Sequence, residues 1–181
     1  MNRRTTFEAM LSVAFTSLVV SSAVHAQQSN CAELEAILKL DDYRSLAAEP
    51  LSIIRRGSDD TGEFATVRAR AKAVLSSYSS CEIWIEAQRS RGGVEKETHS
   101  LNCDVRKTAA HGNTHRSAVL ASAEPWRSCL GGWSEKITED KGPVLNGAQF
   151  EYSRGDGRHR MTFTSSGMNA GVVSVAISLS K

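Results

Sequence analysis

The stretch CEIWIEAQRSRGGVEKETHSLNC, Cys81 to Cys103, begins and ends on cysteine and carries a double glycine at its middle. Read as two strands, Cys81 to Gln88 and Glu95 to Val105, joined through Arg91-Gly92-Gly93, it places Cys81 directly opposite Cys103. Ile83 then faces Leu101 and Ile85 faces His99 on one side of the hairpin. The two thiols would staple the open end of a hairpin whose polar middle is outer face and turn. On the other side, alternation gathers Glu82, Trp84 and Glu86 beside Thr98, Ser100, Asn102 and Asp104. An aromatic ring among acidic and small polar groups is a candidate contact for a partner. The alternative is that a helix or loop covers it. His99, expected to point inward, reads as a hydrogen-bonded core residue rather than a base.

Outward from the hairpin, the pattern divides into segments. Asn30 followed by Glu33 has the form of a capping box, and Leu34, Ile37 and Leu38 repeat at helical spacing, which predicts a helix from about Cys31 to Leu46. Glu49-Pro50 closes it. Arg55 to Gly62 is charged and glycine-containing and reads as a loop. From Glu63 to Ala73, Val67, Ala69, Ala71 and Ala73 alternate with Arg68, Arg70 and Lys72, as in a half-buried strand, with a helix as the alternative because of the alanine content. A second helix is expected to start near Gly112-Asn113-Thr114, to kink or restart around Ser122 to Pro125, and to end at Gly131-Gly132. Four short strands follow: Trp133 to Thr138, Ala148 to Ser153, His159 to Thr164 and Val172 to Leu179. The predicted fold is α+β, two helices packed on an antiparallel sheet in the order helix, three strands, helix, four strands, with the look of a doubled unit.

The N-terminus has the features of an export signal. Arg3 and Arg4 precede an apolar run from Met10 to Ala23, and Val24-His25-Ala26 fits signal-peptidase cleavage after Ala26. The run is shorter than the ~20 residues a bilayer needs and is diluted by serines, so no stable membrane span is expected after its removal. The domain would then be residues 27–181, in the periplasm or outside the cell. All four cysteines lie in that part. In an oxidising compartment they read as two disulfides, with Cys81 joined to Cys103 and Cys31 to Cys129. Closely spaced pairs of the kind zinc favours are absent. With Arg3, Arg4 and Glu8 removed, basic and acidic residues nearly balance, which argues against a general nucleic-acid binder.

Catalytic signatures are missing: there is no Gly-x-Ser-x-Gly, no His-Glu-x-x-His and no phosphate-cradling glycine loop, and bridged cysteines cannot act as nucleophiles. His111 and His115 stand four apart, but Gly112-Asn113-Thr114 between them is poor helix material and no third ligand is indicated. Arg154-Gly155-Asp156 spells an adhesion tripeptide at a position where a hairpin turn needs Gly and Asp on conformational grounds. No cofactor is indicated.

The signal sequence, the early Cys31 followed by Leu and Ile at helical spacing, the Cys-x-Ile-Trp strand, the second cysteine closing its hairpin and the later Cys129-Leu-Gly-Gly-Trp together resemble the layout of small uncharacterised exported proteins of proteobacteria. The resemblance spans Cys31 to Leu179 and implies no catalytic residues. Pro125 departs from the uninterrupted second helix of that layout. The chain is also similar in general look to small periplasmic inhibitors and immunity proteins that block cell-wall-active enzymes. The expected function is a non-catalytic periplasmic or secreted binding module whose partner is another exported protein, met by Trp84, Glu82, Glu86 and Asp104. An inhibitor or immunity protein and a small envelope hydrolase are the alternatives.

Overall fold

The structure is a computed structural model, and it describes residues 30–60, 62–72, 75, 77–78, 80–93, 95–106, 114–141, 146–166 and 172–181. The N-terminal segment read as an export signal, and Ala73, His111, Gly112 and Asn113, lie outside the described residues.

Helix α1 covers residues 30–38. Asn30 is already helical and does not cap; its Oδ1 instead accepts from Ser77 Oγ at 2.8 Å. Leu34 and Ile37 are buried on one face, as their spacing requires. The helix stops well short of the expected Leu46, and a separate 3-10 turn, Tyr43–Leu46, follows. Asp42 is the reason for the break: its side chain takes the Arg44 amide at 2.7 Å, an alternative to the helical ladder. The break turns Tyr43 into the core.

Eight antiparallel strands form one sheet in the order β1-β2-β3-β4-β8-β7-β6-β5. The first four are β1 (Ser52–Asp59), β2 (Gly62–Arg70), β3 (Cys81–Ser90) and β4 (Glu95–Arg106). The other four are β5 (Ser134–Lys141), β6 (Asn146–Ser153), β7 (His159–Ser166) and β8 (Val172–Ser180). β1 corrects the reading of Arg55 to Gly62 as a loop, so the order is helix, four strands, helix, four strands. As an edge strand, β1 buries neither face and shows no alternation for a sequence pattern to betray. A register shift between Ile53 and Arg55 scrambles its parity further. Reversing the strand list exchanges the two halves of the chain, each a helix followed by a four-stranded meander, joined through the antiparallel pair β4 and β8.

Helix α2 (His115–Ala123) begins at Thr114, whose Oγ1 accepts from the Ser117 amide while the Ser117 hydroxyl accepts from the Thr114 amide. It packs against β6 and β7. Pro125 sits in the first turn of a following 3-10 segment, Glu124–Trp126, where its missing amide hydrogen costs nothing. Trp126 is buried there and stacks on Tyr78 at 6.2 Å between ring centroids. Both helices, Tyr43 and Leu75 share one core with the helix-facing residues of the sheet, among them Ile83, Leu101, Phe163, Val175 and Ile177. The disulfides are Cys31–Cys129, which ties α1 to the chain beyond α2, and Cys81–Cys103, which joins directly opposed residues of β3 and β4.

Candidate functional site

Strand pairing places Trp84 on the face of the sheet turned away from the helices. One row crosses all eight strands through Ser52, Arg68, Trp84, Ser100, Ser178, Arg160, Ser153 and Ser134. The neighbouring row holds Arg70, Glu82, Asn102, Ala176, Thr162, Glu151 and Lys136. This outer face is built mostly of small hydroxyl side chains and charges, with two large rings in its first half: Trp84 at the centre, and Phe64 toward the β2 start beneath the Arg55 guanidinium. Trp84 is half-buried and takes no part in the core. Among the described residues no helix covers it, because both helices join the core on the opposite side.

The expected rim is only partly assembled. Glu82 and Glu86 flank Trp84 along β3, and the indole Nε1 donates to Glu82 Oε2 at 3.0 Å. Asp104 lies one outward position beyond Asn102, diagonal to Glu82 and away from the indole. Arg68 faces Trp84 directly and brings its NH1 to 4.0 Å from Glu82, while Arg70 faces Glu82. The rim is thus mixed in sign, basic on β2 and acidic on β3 and β4. Such an arrangement fixes the indole's orientation and offers both charges to a partner; it holds no nucleophile paired with a base.

The helix-facing side carries a polar network that composition did not reveal. His99 is fully buried opposite Ile85 and Leu179. Its Nδ1 accepts from the Tyr43 amide at 3.2 Å, which leaves the proton on Nε2 to donate to Glu97 Oε1. Arg44 NH1 donates to the same Glu97 oxygen at 2.8 Å and to Asp42 Oδ2 at 2.7 Å. Lys181 Nζ stands 3.8 Å from Asp42. Of these residues only His99 stands out in the sequence, by its inward position on β4. Asp42, Arg44, Glu97 and Lys181 come from three separate segments, and a lone Asp ahead of Tyr-Arg was the one available signal, as a cap.

Hydrogen bonding to the Arg44 guanidinium, followed by the His99 ring, holds the Glu97 carboxyl below its ordinary 4.5 against burial. Burial raises Asp42, but the Arg44 amide, guanidinium and charge outweigh it and leave that carboxyl below 3.8. A depressed folded pKa stabilises the fold above the unfolded value and loses that stability as pH falls through the folded value. Urea midpoints measured from pH 7 downward are therefore expected to hold until about pH 4.5 and then to drop. Glu97→Gln should flatten that acid limb; an unchanged limb would remove the network from the account.

The other motifs resolve locally. His115 is buried with Nδ1 2.9 Å from Ser165 Oγ. Arg154-Gly155-Asp156 is a turn in which Asp156 accepts from the amides of Arg158 and His159 and meets His159 Nδ1 at 2.9 Å. Against desolvation, those bonds hold its carboxyl down to about 2. Among the described residues no group of three or more His, Cys, Asp or Glu is placed to hold a metal ion, and no helix is long and apolar enough to cross a membrane. Comparison with protein-family models, curated proteins and solved structures finds no match to the chain.

Proposed function

We propose that the protein is a non-catalytic exported binding module that captures another periplasmic or secreted protein through the outer face of its sheet, with Trp84 as the anchor. The observation that supports this reading is a broad antiparallel face of small polar side chains, free of helices among the described residues, with one oriented indole at its centre of charge. Two disulfides and the signal-like N-terminus support export. The partner has a notch for the indole and cations for Glu86 and Asp104, which make no ion pair among the described residues. Aromatic anchors within polar surroundings dominate interfaces, so Trp84→Ala is expected to weaken capture by about 2 kcal/mol or more. Its melting temperature should stay within a few degrees of the parent, because the ring lies outside the core. The test immobilises both proteins, challenges them with exported proteins of the source cell and measures retention beside melting curves. A variant that melts much earlier, or that retains the same partner equally well, removes Trp84 as the anchor.

A further inference from the structure

The helix-facing side of the sheet is not covered along its whole length. β3 and β4 run for 10 and 12 residues, and the core ends on them at Ile85 and His99. Beyond that point one row of directly opposed residues reads Arg56, Ala65, Ala87 and Glu97, and Lys181 continues it by donating its amide to the Glu97 carbonyl at 2.9 Å. These residues line a cavity of about 650 Å³. That volume lies in the range of small-molecule sites.

The charges around this cavity are not equally available. Arg89 has its Nε 3.5 Å from Glu95 and pairs with that carboxylate, while Glu63, which it faces across β2 and β3, makes no ion pair among the described residues, so the trio carries one net negative charge. Lys181 is turned toward Asp42. Arg56 is exposed and has no ion-pair partner among the described residues. Glu97 is held differently: Arg44 and His99 both bond Oε1, so the carboxylate is fixed in place, while Oε2 has no hydrogen bond among the described residues. A free cation and an oriented anion thus stand at opposite ends of a floor made of two alanines. Their backbones are separated by three strand spacings, roughly 14 Å, which the two side chains shorten from either end.

We propose that this overhang binds a short linear zwitterion, its ammonium on Glu97 Oε2, its carboxylate on Arg56 and its body lying across Ala65 and Ala87. The site is on the opposite face from Trp84 and stands or falls independently of the capture surface. Ligands with adjacent charges, such as glycine, cannot reach both ends. ω-Amino acids and tripeptides can.

Titration of ¹⁵N-labelled protein with 6-aminohexanoate and with trialanine tests this, with hexylamine, hexanoate and glycine as controls. The expected result is saturable shifts at the amides of Ala65, Ala87 and Glu97 but not at Trp84, with each control weaker by about tenfold or more, since each lacks one charge-assisted contact. Arg56→Gln should reduce affinity for 6-aminohexanoate to that of hexylamine, and Ala87→Leu should abolish binding by filling the floor. Both positions are exposed, so both variants should melt like the parent. Absence of saturable shifts, equal affinity for hexylamine, or binding indifferent to Arg56→Gln and Ala87→Leu overturns the proposal.

Discussion

Replacing Cys31 and Cys129 together by alanine is expected to destabilise the protein by about 4–5 kcal/mol. The bridge spans a sequence separation of 98 residues, and cross-linking removes more conformational freedom from the unfolded chain as the closed loop lengthens. It also holds α1 against the segment after α2, so its loss frees a helix of only nine residues, 30–38, which has little stability of its own. Cys81–Cys103 closes a separation of only 22 residues between strands already paired along their length. Its removal should cost less, about 3 kcal/mol. Urea unfolding of the two double variants beside the parent measures both. A smaller loss for the Cys31/Cys129 variant than for the Cys81/Cys103 variant would contradict this ordering.

Gly62→Ala is the second large effect, expected at about 3 kcal/mol from a strained backbone joined to a steric collision. Gly62 starts β2 with φ +146°, and a Cβ there would stand 2.0 Å from the carbonyl oxygen of Arg89. That oxygen belongs to the backbone of β3, so no side-chain rotation relieves the contact. The hairpin must peel from β3 at the end where Gly62 faces Ser90. A fall in melting temperature of roughly 6–12 °C should appear, with faster amide exchange confined to the ends of β1 and β2. Gly93→Ala is the control: its φ is +80°, but nothing lies within 4 Å of a Cβ, so only the conformational part of the cost remains. Equal effects at the two glycines would show that the collision is relieved and only strain counts.

The extent to which these features were legible varied with how local they are. The register of β3 and β4 could be read from the two cysteines and the double glycine, because a hairpin's turn determines every opposed pair along it. The restart at Pro125 followed from its missing amide hydrogen, and β6, β7 and β8 followed from alternation, since their helix-facing side is buried almost without interruption. β1 was not legible, because an edge strand exposed on both faces carries no burial pattern, and its charges look like a loop's. The early end of α1 was hidden as well: Leu34, Ile37 and the residues to Leu46 keep a helix-compatible spacing, and only the Asp42 cap and the burial of Tyr43 beside His99 divide them.

What the amino-acid order alone determined is local: which residues of β3 and β4 oppose each other, that Trp84 and Ile83 point to different faces, and that the second half ends in a meander. Tertiary structure decided how the halves meet. The pairing of β4 with β8 joins residues far apart in the chain, from Arg106 with Val172 to Thr98 with Ser180, and no local period encodes such contacts. That pairing merges the meanders into one eight-stranded sheet and continues the serine row from Trp84 across the second half. It brings Lys181 beside Glu97, while the helix break before the Asp42 cap brings Arg44 to the same carboxylate. The broad outer face and the overhang with its two separated charges both exist because strands distant in sequence share one ladder of hydrogen bonds.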